Sequence, residues 1–248
     1  MGRSRGRGRL TYYGDDLALV HHLGFGFHAD ACAPGIVALL EPVRGGLVLE
    51  LGCGSGLLTR HLVRAGHRVV ATDASPAMLA LARETAPEAT VQSLVLPDDP
   101  LPACDAVVSV GHVLSYLHDE AAIQRALAAA AEALRPGGVL ALDLLDLRYG
   151  ELLREEPNSS RVGDDWAIIT RFSLPRPNVF LREITSFLPN EDGTWRRDDE
   201  RHENVLGETS AVPAFLEEHG VEARVADSFG DEQLPDGLVA IVGRKAKA

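Results

Sequence analysis

Lysine is almost missing from this chain. Its 248 residues include 24 basic side chains, of which only Lys245 and Lys247 are lysines. Acidic residues number 36, giving a formal net charge of −12. That sign does not suit broad nucleic-acid binding, which needs a basic face. Cysteine is sparse as well: Cys32, Cys53 and Cys104 are scattered and contain no CxxC pair. They provide neither a disulfide framework nor a zinc site, and a reducing, cytoplasmic setting is the expectation. No apolar run approaches the ~18–20 residues that cross a bilayer, so no membrane partner is expected. The start, MGRSRGRGRL, is basic but has no apolar signal core behind it. Residues 1–10 are expected to be a disordered basic tail, and Arg3, Arg5, Arg7 and Arg9 are its only invitation to nucleic acid.

What the chain does have is a rhythm of short apolar runs and helical stretches, with no internal repeat. Tyr12 to Leu23 and Ala31 to Leu40 read as two helices separated by Gly24 and Gly26. LVLEL (47–51), HRVVATD (67–73), TVQSLVL (90–96), DAVVSVG (105–111) and VLALDLL (139–145) read as strands. Between them lie amphipathic segments at 57–64, 76–84 and 120–134. Ser75-Pro76 is an N-cap followed by proline at the first helical position. Arg135-Pro136-Gly137-Gly138 reads as a stop. Alternating strands and helices imply an α/β, doubly wound, mostly parallel sheet. The rhythm changes near Arg154. WAIITRFSL (166–174), VFLREITSFL (179–188) and TWRRDDERHENVL (194–206) predict two or three antiparallel strands, an insertion over 154–206 after the fifth parallel strand. A helix at 212–219 and a terminal antiparallel pair, 221–229 with 237–243, complete a seven-stranded sheet. Residues 11–248 read as one domain carrying that insertion.

Ligands in such sheets bind beyond the carboxyl ends of the strands. There the sequence reads LELGCGSGLLTR (49–60), with three glycines alternating along the turn. A P-loop needs lysine and Ser/Thr after its last glycine, but Leu57 and Leu58 stand there. A dinucleotide fingerprint is GxGxxG, and Leu57 occupies the position of its third glycine. Asp73 lies at the distance of a ribose-binding acid and does not separate the readings. Glu50 does separate them. A carboxylate two residues before the first glycine repels a pyrophosphate and suits a ligand bearing an ammonium group.

ELGCGSG with Asp73, the helix SPAMLALA and the later RPGGVLALDLLD resembles the core of class I S-adenosylmethionine (SAM)-dependent methyltransferases of the small-molecule type, over about residues 35–147. The resemblance implies a Rossmann-like methyltransferase fold and SAM as cofactor. It places Gly52, Cys53 and Gly54 along the methionine part, with Cys53 as filler and not a nucleophile. Glu50 would attract the ammonium, and Asp73 would accept both ribose hydroxyls. Ala74 and Met78 would pack on the adenine. Ser93 and Leu94 stand where the family often has an acid facing the adenine amine, with Ser93 a weak substitute. Gly111 and His112 would end the fourth strand beside the sulfonium.

Methyl transfer is an in-line displacement, and a base is needed only if the acceptor must lose a proton. The candidates for that work are His112 and Tyr116 after strand four, and His21 in an N-terminal helix that commonly closes over the site in this family. Tyr13 in that helix and Arg148 after strand five are candidate acceptor contacts. His202, and the charges from Arg196 to Glu203, read as a solvated, salt-bridged strand. No Asn/Asp-Pro-Pro-aromatic tetrad follows strand four, and no carboxylate cluster suggests a magnesium site. The remaining expectation is methylation of an amine or hydroxyl of a small metabolite, with the inserted sheet shaping the acceptor pocket or a homodimer contact. Methylation of RNA or protein anchored by the arginine tail, a catalytically silent SAM-binding protein, and NAD-linked oxidoreduction are the alternatives. Leu57 and Glu50 disfavour the last.

Overall fold

A computed structural model describes residues 12–152 and 157–247. The basic tail expected at 1–10 and the expected start of the insertion at Arg154 fall outside the described residues. Two helices open the chain, α1 (Asp15–Gly24) and α2 (Phe27–Leu39). Then come β1 (Leu47–Leu51), α3 (Leu57–Arg64), β2 (Arg68–Asp73), α4 (Pro76–Thr85), β3 (Thr90–Ser93), β4 (Cys104–Ser109), α5 (Glu120–Ala133) and β5 (Leu134–Leu145). A short α6 (Leu147–Leu152) leads to β6 (Asn158–Val162), β7 (Ala167–Arg176), β8 (Val179–Pro189) and β9 (Trp195–Val205). The chain ends in α7 (Val212–Glu218), β10 (Val221–Ala226) and β11 (Leu238–Lys245).

Seven strands form one sheet in the order β10-β11-β5-β4-β1-β2-β3. β1 to β5 pair in parallel, while β11 runs antiparallel to both β5 and β10. The doubly wound expectation holds, terminal antiparallel pair included. Its two faces are sorted by side-chain size, because successive strand residues point to opposite faces. Val48, Ala71, Ala106, Val108, Ala141 and Ala240 meet α2, α3 and α4, and these small residues let the helices sit close. Leu49, Leu51, Val107, Leu140, Leu142 and Ile241 face the alanine-rich α5 and α7.

The insertion is a separate four-stranded antiparallel sheet, β6-β7-β8-β9, and not two or three strands. β6, whose residues are all exposed, is the strand the sequence pattern did not reveal. α1 packs on this small sheet: Leu17 and Val20 are buried with Trp166, Ile168, Ile184 and Leu188.

Several boundaries move. α1 begins at Asp15, because Tyr13 takes a left-handed conformation, φ 62°, which no helix continues. α2 begins at Phe27, four residues before the expected start. β3 ends at Ser93; beyond it Leu94 donates to the Asp73 carbonyl and the chain turns at Val95. The expected stop at 135–138 is instead the irregular start of β5, where its register against β4 shifts.

Candidate active site

A cavity of about 270 Å³ opens at the carboxyl ends of β1, β2 and β4. Its floor is the turn after β1. Gly52, Gly54 and Gly56 all have positive φ, 66°, 53° and 82°, the region that favours glycine. Close approach constrains two of them. A Cβ at Gly52 would lie 2.4 Å from the Val113 side chain, and one at Gly56 would lie 3.0 Å from the Ala82 Cα. At Gly54 the nearest atom would be Met78 Sδ at 4.0 Å, so this glycine leaves its space to the cavity.

Two carboxylates belong to this end. Asp73 finishes β2 and accepts from Gly54 N at 2.9 Å and Ser75 N at 2.8 Å, tying the glycine turn to the start of α4. Burial raises its pKa; the backbone donors oppose that. Glu50 is 2% exposed and accepts from Thr59 Oγ1 at 2.7 Å. It has no cationic partner among the described residues, and burial pushes its carboxyl up to about 8. Ala74, Met78 and Leu94 line the same end with Cys53, whose thiol burial holds protonated.

The opposite end is built from distant parts of the chain. After β4, Gly111 and the left-handed His112 (φ 49°) are pinned by Asp143 of β5, which is fully buried. Asp143 accepts from Gly111 N at 2.8 Å and His112 N at 2.6 Å, and His28 Nε2 of α2 lies 3.2 Å away. Tyr116 faces the cavity with its hydroxyl 2.9 Å from that of Tyr13 and 3.5 Å from His202 Nδ1. Arg182 of β8 donates to the same hydroxyl. His202 Nε2 lies 2.7 Å from Glu200, which also accepts from Tyr13 N at 2.9 Å and Gly14 N at 2.8 Å. Burial works to raise the Glu200 carboxyl, but the His202 contact and the two amides outweigh it and hold the pKa below its ordinary value. The His202 imidazole is held down by burial, with Arg182 adding to that and Glu200 opposing it.

Most of the sequence candidates therefore meet in one place. Tyr13, His21, Glu50, Gly52, Cys53, Gly54, Asp73, Ala74, Met78, Leu94, Gly111 and Tyr116 line the cavity. His112 sits just behind it, stacked on Tyr116 at a centroid distance of 5.7 Å. Two candidates lie elsewhere. Ser93 ends the edge strand, is exposed and does not line the cavity, although Leu94 beside it does. Arg148 follows the turn into α6 and points to solvent, its side chain 70% exposed beside Asp146. His202 is the reverse case: expected in solvent, it is fully buried. Arg182 and His28 carry no expectation from the sequence, and Glu200, in the run expected to be solvated, is instead drawn in beside His202. Alternation along β9 was the available signal, since inward 200, 202 and 204 alternate with exposed 197, 199 and 201. Among the described residues no cluster of His, Cys, Asp or Glu could hold a metal ion, and no helix is long and apolar enough to cross a membrane.

Residues 48–138 match a family model described as a methyltransferase domain. A putative methyltransferase of Geobacillus sp. (strain WCH70) is 25% identical over 195 residues, covering 75% of this chain and 78% of its own length. A ubiquinone biosynthesis O-methyltransferase of Xanthomonas axonopodis pv. citri is 36% identical over 118 residues. That match covers 45% of this chain and 47% of the relative, so the chain spans about half of it. Among solved structures, the sugar N-methyltransferase KedS8 from Streptoalloteichus sp. ATCC 53650 superposes with a TM-score of 0.75 at 23% identity. It covers 98% of this chain and 100% of its own, a likeness of fold.

Proposed function

We propose that the chain is a class I SAM-dependent methyltransferase and that it methylates an amine or hydroxyl of a small metabolite by in-line displacement. SAM is the cofactor, and when bound it supplies an electrophilic methyl group on a sulfonium. The residues fit it. Asp73 would take the ribose hydroxyls, and the space left open at Gly54 admits the methionine part beside the turn. Glu50, a buried carboxylate without a cation, would hold the ammonium. Ala74, Met78 and Leu94 offer the adenine an apolar wall.

One observation carries the reading. The cavity joins these acids to a wall of hydroxyl and imidazole groups from the N-terminal segment and Tyr116, backed by His202 and Arg182 of the small sheet. With His202 Nε2–H donating to Glu200, Nδ1 is left as an acceptor for the Tyr116 hydroxyl. Tyr116 can then take a proton from the acceptor while passing its own to His202, and Glu200 stabilises the resulting imidazolium. Arg182 donates to the Tyr116 oxygen and fixes its orientation, and the acceptor's group takes the place of the Tyr13 hydroxyl on that oxygen. His21, pushed down to about 4 by burial first and Arg182 second, stays neutral and adds no charge against the sulfonium. The KedS8 and ubiquinone-pathway likenesses support a small acceptor, one through nitrogen and the other through oxygen.

The test is turnover. The full chain is incubated with SAM and a panel of small amines and alcohols, and S-adenosylhomocysteine and methylated product are read by mass spectrometry. Turnover with a panel member is expected. SAM binding without turnover on any of them would replace this reading with that of a silent SAM-binding protein.

A further inference from the structure

Aromatic side chains are few in this chain, at 5% of its residues, and they are not spread evenly. Three of its four tyrosines, Tyr12, Tyr13 and Tyr116, line the cavity together with Phe25 and His21. Their rings follow one another in contact. Tyr12 and Tyr13 lie 5.1 and 6.1 Å from Tyr116 between centroids, and Tyr13 lies 5.2 Å from His21. His21 stacks on Phe25 at 5.6 Å with 16° between the planes, and Phe25 lies 6.3 Å from Phe27. Phe27 is 58% exposed. One row of rings thus runs from the Tyr116 hydroxyl, which takes the acceptor's proton, to the protein surface. The inner rings border the cavity and the outermost meets water, so the row is open to a ligand along its length.

Its surroundings choose among the ligands that could cover it. A cation is disfavoured. Arg182 already lies over the Tyr116 ring at 5.3 Å, and Arg161 lies over Phe25 at 5.3 Å and Phe27 at 4.8 Å. Neither guanidinium is in an ion pair among the described residues, so each claims the negative ring faces and repels a second cation. A polyol fares no better, since Phe25 and Phe27 cannot replace the hydrogen bonds it gives up to water. A flat unsaturated ring suits the row, because it adds offset or edge-to-face contacts to the area it buries.

The proton relay points the same way. Burial holds the His202 imidazole below its ordinary pKa, which makes it a weak final base. A phenol, at about 10 like tyrosine, passes a proton to it far more readily than an aliphatic alcohol, which is about as weak an acid as water at about 16. An aryl amine is uncharged near neutral pH and enters without the penalty of a cation.

We propose that the acceptor is aromatic, a phenol or an aryl amine, with the atom to be methylated at Tyr116 and its ring system along Tyr13, His21 and Phe25 toward Phe27. The proposal rests on the methyltransferase reading and narrows its acceptor class. The acceptor's oxygen or nitrogen gains the methyl carbon as the carbon–sulfur bond breaks. That bond's electron pair stays on sulfur, and the acceptor's proton passes through Tyr116 to His202.

The full chain, saturated with S-adenosylhomocysteine, is titrated with β-naphthol, with decahydro-β-naphthol and with glucosamine, read by calorimetry. β-Naphthol is expected to bind about tenfold or more tighter than its saturated counterpart, which keeps the skeleton and hydroxyl but has no π face. Glucosamine, a cationic polyol, is expected to bind more weakly than either. F25L is expected to weaken β-naphthol by about threefold or more and leave S-adenosylhomocysteine and decahydro-β-naphthol unchanged, while F25Y keeps most of the affinity. Failure of β-naphthol to bind, binding no tighter than that of either other probe, or unchanged affinity in F25L overturns the proposal. If F25L does not fold, Y12L serves in its place under the same criteria. Absence of S-adenosylhomocysteine binding by the unaltered protein would instead remove the methyltransferase reading, so the two failures are distinct.

Discussion

Burial keeps the Glu50 carboxyl protonated up to a pH of about 8, so its charge is available only at a cost to the free protein. The folded state binds a proton there that the unfolded chain has already lost. Stability from this group is full below the ordinary carboxyl range and falls as pH rises through about 8. E50Q should therefore raise the stability of the ligand-free protein at alkaline pH, by on the order of 3 kcal/mol, and change little in acid. Urea midpoints at two pH values measure this. The same substitution should weaken SAM and flatten its pH dependence. In the unaltered protein, affinity should climb between about pH 6 and 8 as the docking ammonium expels the Glu50 proton. Calorimetry in buffers of different ionisation enthalpy counts that proton. At Asp73 the expectation is simpler. D73A removes the acceptor of the ribose hydroxyls and should cost on the order of 2–3 kcal/mol in SAM affinity. An unchanged dissociation constant would count against the cofactor assignment.

At the scale of elements, β8 and β9 back the Tyr116 side of the cavity. Their register sets Arg182 opposite His202, and their inward faces aim both at Tyr116. H202Q should lower kcat by about 10–100-fold and leave SAM affinity within about twofold, because His202 touches only the Tyr116 side of the cavity. A matching loss of SAM affinity would make His202 a structural residue. The glycine turn, Glu50 and Asp73 were legible in the sequence because each lies at or just past the carboxyl end of a strand and its chemistry is local. The Tyr116–His202–Glu200 chain was not, since 86 residues separate Tyr116 from His202 and only the pairing of β9 brings them together. The charges flanking His202 gave a misleading cue, because they belong to the outward parity of the strand. Ser93 and Arg148 failed for a related reason: a position beyond a strand end fixes neighbourhood, but not the side to which the chain then turns.

For the molecule as a whole, the alternation of runs was enough to give the seven-stranded sheet, since the central parallel strands bury both faces and read as continuous apolar runs, while edge β3 is mostly exposed. The small sheet was visible in outline and short by its fully exposed β6, whose sequence NSSRV offers no apolar alternation. Deleting residues 2–9 tests the alternative in which the arginine tail anchors RNA. Turnover of small acceptors should be unaffected, and RNA affinity should be negligible at moderate salt with or without the tail. Strong, salt-dependent RNA binding that vanishes with the deletion would favour the RNA reading.

The division between two sheets also bears on how such a protein diverges. The donor end hangs on the turns after β1 and β2 in the large sheet, while β8 and β9 of the small one back Tyr116 at the other end. Each sheet is hydrogen-bonded within itself, and the small one has its own apolar seam against α1. Substitutions at the positions of β8 and β9 that face Tyr116 can therefore accumulate without touching the residues that hold the methyl donor. A lineage can change what it methylates while inheriting intact the means of doing so.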